Sequence, residues 1–165
     1  MKSAQDFYNN TEKREVISVI VQNEDSVLSR ISNLFSARGY NIDSLTVAPI
    51  PNSDYSRFTI VTLGNARTID QIVKQLNKLV PVLKVIEHKS AIEKDTVLIK
   101  IPVDENLSDI DVIARAYNGA IVNVTDDSIV ISATDTPQRI ANFINIIQKY
   151  KPTEIVGGGV VAMER

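Results

Sequence analysis

The chain has 165 residues, 44% of them hydrophobic, with 18 basic and 20 acidic side chains and a formal net charge of −2. That near balance argues against a nucleic-acid partner; the absence of cysteine excludes disulfides, thiolate metal sites and thiol nucleophiles, and a single histidine excludes a multi-histidine metal site. The opening "MKSAQDFYNNTEKRE" lacks the apolar core of a secretion signal, and no stretch approaches the roughly 20 apolar residues that span a bilayer, so a soluble cytoplasmic protein without a membrane partner is expected.

Residues 1–13 read as a polar N-terminal extension. "EVISVIVQ" follows, a β-branched run that suits a buried strand. Val27, Leu28, Ile31, Leu34 and Phe35 recur at helical spacing, with Ser29, Arg30, Ser32, Asn33 and Ser36 on the other face. Gly39 falls where a left-handed C-terminal stop belongs. "NIDSLTVAPI" and "YSRFTIVTLG" read as strands around a turn at Pro51–Asp54. Thr68 followed by Gln71 resembles a capping box, an apolar stripe runs from Ile69 to Leu79, and Pro81 ends the helix. "VLKVIEH" closes the unit as a strand.

The β-α-β-β-α-β order then repeats. "DTVLIKIPV" is a strand; Ile110, Ile113, Ala114 and Tyr117 mark a helix predicted to stop at Gly119. "AIVNVT" and "SIVISAT" flank a tight turn at Asp126-Asp127. Thr136 caps a helix with Pro137 at its first position, and "TEIVGGGVVAM" reads as a last strand. The fold class is therefore α+β: two ferredoxin-like βαββαβ domains, residues 14–90 and 91–165, each with four antiparallel strands and two helices on one face. The bare face and the sheet edges both ask for cover, which a dimer, edge to edge or face to face, would supply.

No catalytic constellation emerges. His88 has no obvious partner and reads as an exposed or strand-end histidine. "DENLSDID" gathers carboxylates at 104, 105, 109 and 111 but lacks the glycine and ligand spacing of a calcium loop; it suits an acidic helix start. "GGG" at 157–159 is followed by no Lys-Ser or Lys-Thr, so it is no phosphate loop, and glycines there suit a bulge or a close backbone approach. Ser26, Ser29 and Ser36 lack the context of an activated nucleophile. An RNA recognition motif shares the element order, but it needs aromatics on its central strands, and here the first half offers only Phe58 and Tyr55.

"QNEDSVLSRISNLFSARGYNIDSLTV" is the most informative stretch. A polar break, Gln22 to Ser26, leads into a helix N-terminus, whose free N–H groups suit an anion. Asn41 opens the next strand, which a β-α-β unit places near the first. A small zwitterion fits: carboxylate on the N–H groups, ammonium on an amide oxygen, side chain on apolar residues. The plainer reading, favoured by the residues alone, is that Asn23 or Asp25 caps the helix and Asn41 makes a turn.

Residues 14–88, above all "LSRISNLFSARGYNIDSLTV", closely resemble the regulatory (small) subunit family of acetolactate synthase. "EKDTVLIKI", "IVNVTDDSIVI" and "GVVAMER" resemble its C-terminal domain more loosely. The resemblance implies that the first half is an ACT domain and that the chain is not itself an enzyme. It would activate a thiamine-diphosphate-dependent catalytic large subunit, which joins two pyruvates into 2-acetolactate and CO2, and confer feedback inhibition by valine in branched-chain amino acid biosynthesis. No cofactor is implied in this chain; thiamine diphosphate, magnesium and FAD belong to the partner. A homodimer through the ACT domains is implied, with the valine site at its interface on Asn23, Ser26, Val27, Leu28, Asn41 and Ile42. A stand-alone ACT-type amino-acid sensor is the alternative. The family usually has glycine where this chain has Ser26. Because Val27 must already be entering a right-handed helix, Ser26 is expected at negative φ, its hydroxyl capping the helix or meeting the carboxylate.

Overall fold

The computed structural model describes residues 11–103 and 106–165. Of the carboxylates in "DENLSDID", Asp104 and Glu105 fall outside this range. The first βαββαβ run comprises β1 (Lys13–Gln22), α1 (Val27–Ala37), β2 (Ser44–Pro49), β3 (Tyr55–Gly64), α2 (Ala66–Leu76) and β4 (Val82–Glu87). The second comprises β5 (Ala91–Pro102), α3 (Leu107–Ala116), β6 (Gly119–Val124), β7 (Ser128–Asp135), α4 (Pro137–Ile147), a 3₁₀ turn (Gln148–Tyr150) and β8 (Glu154–Glu164). The sheets have strand orders β2-β3-β1-β4 and β6-β7-β5-β8. Two compact units result, one of residues up to Ile92 plus Ala162–Arg165, the other Glu93–Val161. The unit boundary thus lies inside β5, and the last four residues group with the first unit.

The period-two pattern of β1 and β3 explains the first core. Ile17, Val19, Val21, Phe58 and Ile60 pack with Val27, Ile31, Phe35, Ile72 and Leu76 of the helices. Each such side chain contributes about 1.5–3 kcal/mol by leaving water. Val16, Ser18, Thr59 and Val61 occupy the opposite face, with Val16 facing Val61 and Ser18 facing Thr59 across the β1–β3 ladder. None of these four is more than 4% exposed. The sequence leaves this helix-free face to a second chain; here the chain's own last residues supply part of the cover. Arg57 donates from Nη2 to the carbonyl oxygen of Ala162 (3.0 Å), and the Arg165 N–H donates to the carbonyl of Ser90 (3.2 Å).

His88 departs from expectation on the same face. It follows β4, but its side chain is 1% exposed and both ring nitrogens have partners: Nε2 is 2.8 Å from Ser18 Oγ, and Nδ1 is 2.8 Å from Glu164 Oε2. The partners are 70 and 76 residues away in the chain, so nothing local announces them.

The helix ends follow local chemistry, with two corrections. α1 stops as predicted: Gly39 adopts φ 66°, its N–H donates to Ser36 (3.1 Å), and the Tyr40 N–H donates to Phe35 (3.0 Å). These are the paired bonds of a Schellman stop, and the Phe35 and Tyr40 rings pack edge to face, centroids 6.2 Å apart. α2 starts three residues before the predicted capping box. Asn65, extended at φ −79° and ψ 167°, accepts from the Thr68 N–H at 2.9 Å; the cap is Asn65, and Thr68 is already helical. After α3 the left-handed residue is Asn118, φ 55°, not Gly119. Gly119 is needed for closeness: a Cβ there would sit 2.9 Å from the Ser132 carbonyl and 3.0 Å from that of Ala114. Thr136 and Pro137 open α4 as expected, Thr136 accepting from the Arg139 N–H.

Candidate functional site

The six candidate residues sit at the two ends of α1. Asn23 is exposed just beyond β1, and its N–H donates to the Asp54 carbonyl at 2.9 Å. Ser26 is exposed, and its carbonyl accepts the first helical bond, from Arg30 at 3.0 Å. Its backbone is left-handed, φ 70° and ψ 0°, and its side chain makes no capping bond. The expected negative φ is therefore wrong. The four-residue link from β1 into α1 ends by reversing φ at Ser26, and the hydroxyl makes no bond to the N–H groups it would cap. This is the conformation for which a glycine at this position is suited. Val27 is 4% exposed and belongs to the core, so only its backbone is available to a ligand; Leu28, by contrast, is 50% exposed.

Asn41 is exposed, and its Nδ2 donates to Asp43 Oδ1. Its carbonyl accepts from Thr62 Oγ1 at 2.5 Å. Ile42 is half-buried against the first core. With Nδ2 taken by Asp43, the Asn41 amide offers its oxygen, beside the Asp43 carboxylate. That end suits a cation. The α1 N-terminus, with the positive end of the helix dipole, no side-chain cap and Leu28 beside it, suits an anion with an apolar tail. Asp43 was missed from the sequence; an aspartate two residues after an asparagine at a strand start was the available signal.

The two ends do not form one site within a chain. Asn23 bonds to Asp54 and Asn41 to Thr62, at opposite ends of β3. Eight residues at a strand's rise span roughly 25 Å, far beyond the length of an amino acid. The expectation that the strand opened by Asn41 lies near β1 is corrected: β3 lies between β2 and β1, and both run antiparallel to it, so β2 starts at the end of the sheet where β1 starts.

A buried carboxylate of the second unit has a structural role. Asp135, 3% exposed, accepts from Arg139 Nε (2.5 Å), Asn118 Nδ2 (2.9 Å) and the Thr136 N–H (2.8 Å), with Lys94 at 3.7 Å. The Arg139 bond holds its carboxyl below the ordinary aspartate range, against the opposing effect of burial. Arg139 also lies over the Tyr117 ring, 5.0 Å from its centroid. The cluster ties the end of α3 to the start of α4. Among the described residues no group of three or more His, Asp or Glu side chains is placed to hold a metal ion, and no helix is long and apolar enough to cross a membrane.

Two family models match the chain. One described as an AHAS small subunit-like ACT domain matches residues 17–84, and one described as the small subunit of acetolactate synthase matches residues 94–165. An acetolactate synthase small subunit from Buchnera aphidicola is 39% identical over 158 residues, covering 92% of this chain and 99% of the relative. The isozyme 3 small subunit of Escherichia coli is 36% identical over 156 residues, covering 92% and 96%. The crystal structure of the acetolactate synthase small subunit from Thermotoga maritima superposes with a TM-score of 0.86 at 33% identity, covering 93% of this chain and 98% of that one.

Proposed function

The chain belongs to the acetolactate synthase small-subunit family, and on that premise we propose that it binds the catalytic large subunit, raises its activity and makes it sensitive to valine. The chemistry, with its thiamine diphosphate, magnesium and FAD, then belongs to the partner. This chain contributes the effector site and the contacts that transmit its occupancy.

The observation that carries the valine reading is the separation of Asn23 from Asn41. An anion-binding end and a cation-binding end about 25 Å apart cannot hold one amino acid in one chain, yet a twofold axis reconciles them. β2 is an edge strand of its sheet, with Val47 46% exposed. Pairing two β2 strands antiparallel sets the start of one against the end of the other. Asn41 of one protomer then approaches the partner protomer's α1 N-terminus. The valine carboxylate would meet the N–H groups at Ser26–Leu28, its ammonium the Asn41 oxygen of the other protomer, and its side chain Leu28 and Ile42. Two equivalent sites per dimer follow.

Reconstitution tests the reading. The purified chain added to its large subunit is expected to raise acetolactate formation, and valine to lower it again. No change in rate would refute the regulatory role, while valine binding without effect on the large subunit would favour a stand-alone amino-acid sensor.

A further inference from the structure

The helix-free face of the second sheet carries apolar and charged side chains in matching pairs. Val97, Ile99 and Ile101 of β5 and Ile155 of β8 pack into the second core. Strand alternation therefore sends Leu98, Lys100, Glu154 and Val156 to the other face. With Val130 of β7 they line a shallow hollow of about 220 Å3. The Thr153 N–H donates to the Lys100 carbonyl at 2.9 Å, and the Arg165 N–H to that of Ser90 at 3.2 Å. β5 and β8 thus run antiparallel, with Glu154 beside Lys100 and Val156 beside Leu98. Leu98 is 44% and Val156 48% exposed, and both charged side chains are exposed. Among the described residues neither Lys100 nor Glu154 belongs to an ion pair, although Lys100 acts on the nearby Asp127 carboxylate. Further along this face the hydroxyls of Thr96 and Thr134 bond to each other at 2.8 Å, so the face can be covered without orphaning either one.

We propose that this face docks a second copy of the same chain, about a twofold axis that runs along the strands between β5 and β8. Such an axis exchanges the two strands. It sets Lys100 of each protomer opposite Glu154 of the partner subunit, and Leu98 opposite Val156 of the partner subunit. Two charged pairs and two apolar pairs form at once, because the patch is complementary to itself. A face with one sign of charge would meet its copy with like charges. The apolar pairs supply the attraction, since Leu98 and Val156 leave water together. The charged pairs fix the alignment: a copy that laid β5 on β5 at the same level would set lysine on lysine and glutamate on glutamate. The contact lies wholly within the second unit. It is separate from the β2 pairing of the first unit and does not rest on the valine reading.

Charge reversal in the full chain tests this. Lys100→Glu sets carboxylate against carboxylate when the variant meets its own copy, and Glu154→Lys sets ammonium against ammonium. Mixing the two variants restores both opposite-charge pairs. In sedimentation at low salt, each variant alone is expected to associate through this face about tenfold more weakly than wild type, and the equimolar mixture to recover wild-type association. Salt near about 1 M should narrow these differences. Leu98→Ser, which removes apolar surface and leaves the charges in place, should weaken association at every salt concentration. The β2 pairing keeps its residues in all of these variants, so association that persists in every one of them is its own, and its absence would count against that pairing alone. Unchanged association in both charge variants would overturn the proposal, as would a mixture that associates no better than its components. Variants that associate as wild type does but no longer raise the activity of the large subunit would assign the face to that partner instead.

Discussion

Ser26 and Gly39, which bracket α1, share one backbone conformation, with φ 70° at the first and 66° at the second. Glycine adopts it freely at the C-terminal end, whereas serine at the N-terminal end is strained. Ser26→Gly is therefore expected to stabilise the chain by about 1 kcal/mol, less what the more flexible unfolded chain takes back. Ser26→Val should destabilise it, since a β-branched side chain tolerates positive φ least. Urea unfolding midpoints at constant m-value provide the measure; a lower midpoint in Ser26→Gly would contradict the left-handed assignment.

If the effector site is shared between protomers, mutants broken at opposite ends complement one another. With the Asn23 amide meeting the valine carboxylate beside the α1 N–H groups and the Asn41 amide meeting the ammonium, Asn23→Ala and Asn41→Ala homodimers should each bind valine more weakly by about 1–3 kcal/mol, the usual cost of unpairing a hydrogen bond to a charged group. A mixed dimer carrying one of each has one site lacking both asparagines and one site intact. Calorimetry on the mixture should recover binding at wild-type affinity, at half the stoichiometry in the mixed fraction. Mixed dimers as weak as the parents would place both asparagines in one protomer's site.

The start of α2 separates two local readings. Asn65→Ala removes the cap on the Thr68 N–H and should cost about 1 kcal/mol. Thr68→Ala, at a residue already inside the helix, should stay within about 0.5 kcal/mol of wild type. The reverse order in thermal or urea unfolding would restore the capping box.

Acid stability should depend on Asp135. Its carboxyl is held below the ordinary aspartate range, chiefly by the Arg139 hydrogen bond. A lowered carboxyl in the folded state contributes stability that is complete above the unfolded-state value and is lost as pH falls through the folded-state value. Asp135→Asn should therefore unfold at lower temperature than wild type near neutrality, with the gap closing on acidification. Melting temperatures measured from about pH 7 down to about pH 2 test the sign; a gap that widens in acid would rule out the ionised carboxylate as the source.

Much of the fold was legible because it follows from periods that need no tertiary information. Alternating β-branched residues in "EVISVIVQ" and helical stripes such as Val27–Ile31–Phe35 state which side of each element is apolar. Gly39 and the Thr136-Pro137 pair punctuate helices by bonds that close within a few residues. The misplaced caps at Asn65 and Asn118 were errors of a few residues among side chains of similar capping ability. Near a strand end, sequence does not say which amide reaches the first free N–H.

The sequence by itself determined two βαββαβ units, their apolar faces, and a polar break before α1 with a family-like motif around it. Tertiary structure decided everything that depends on distance across the chain. That Asn23 and Asn41 sit at opposite ends of β3 follows from strand direction, which hydrophobic pattern does not encode. Ser26 is left-handed where the short link from β1 enters α1, a placement in the fold that overrides serine's own preference. His88 is buried because Ser18 and Glu164, 70 and 76 residues away, complete its hydrogen bonds, and only a folded sheet brings such groups within reach.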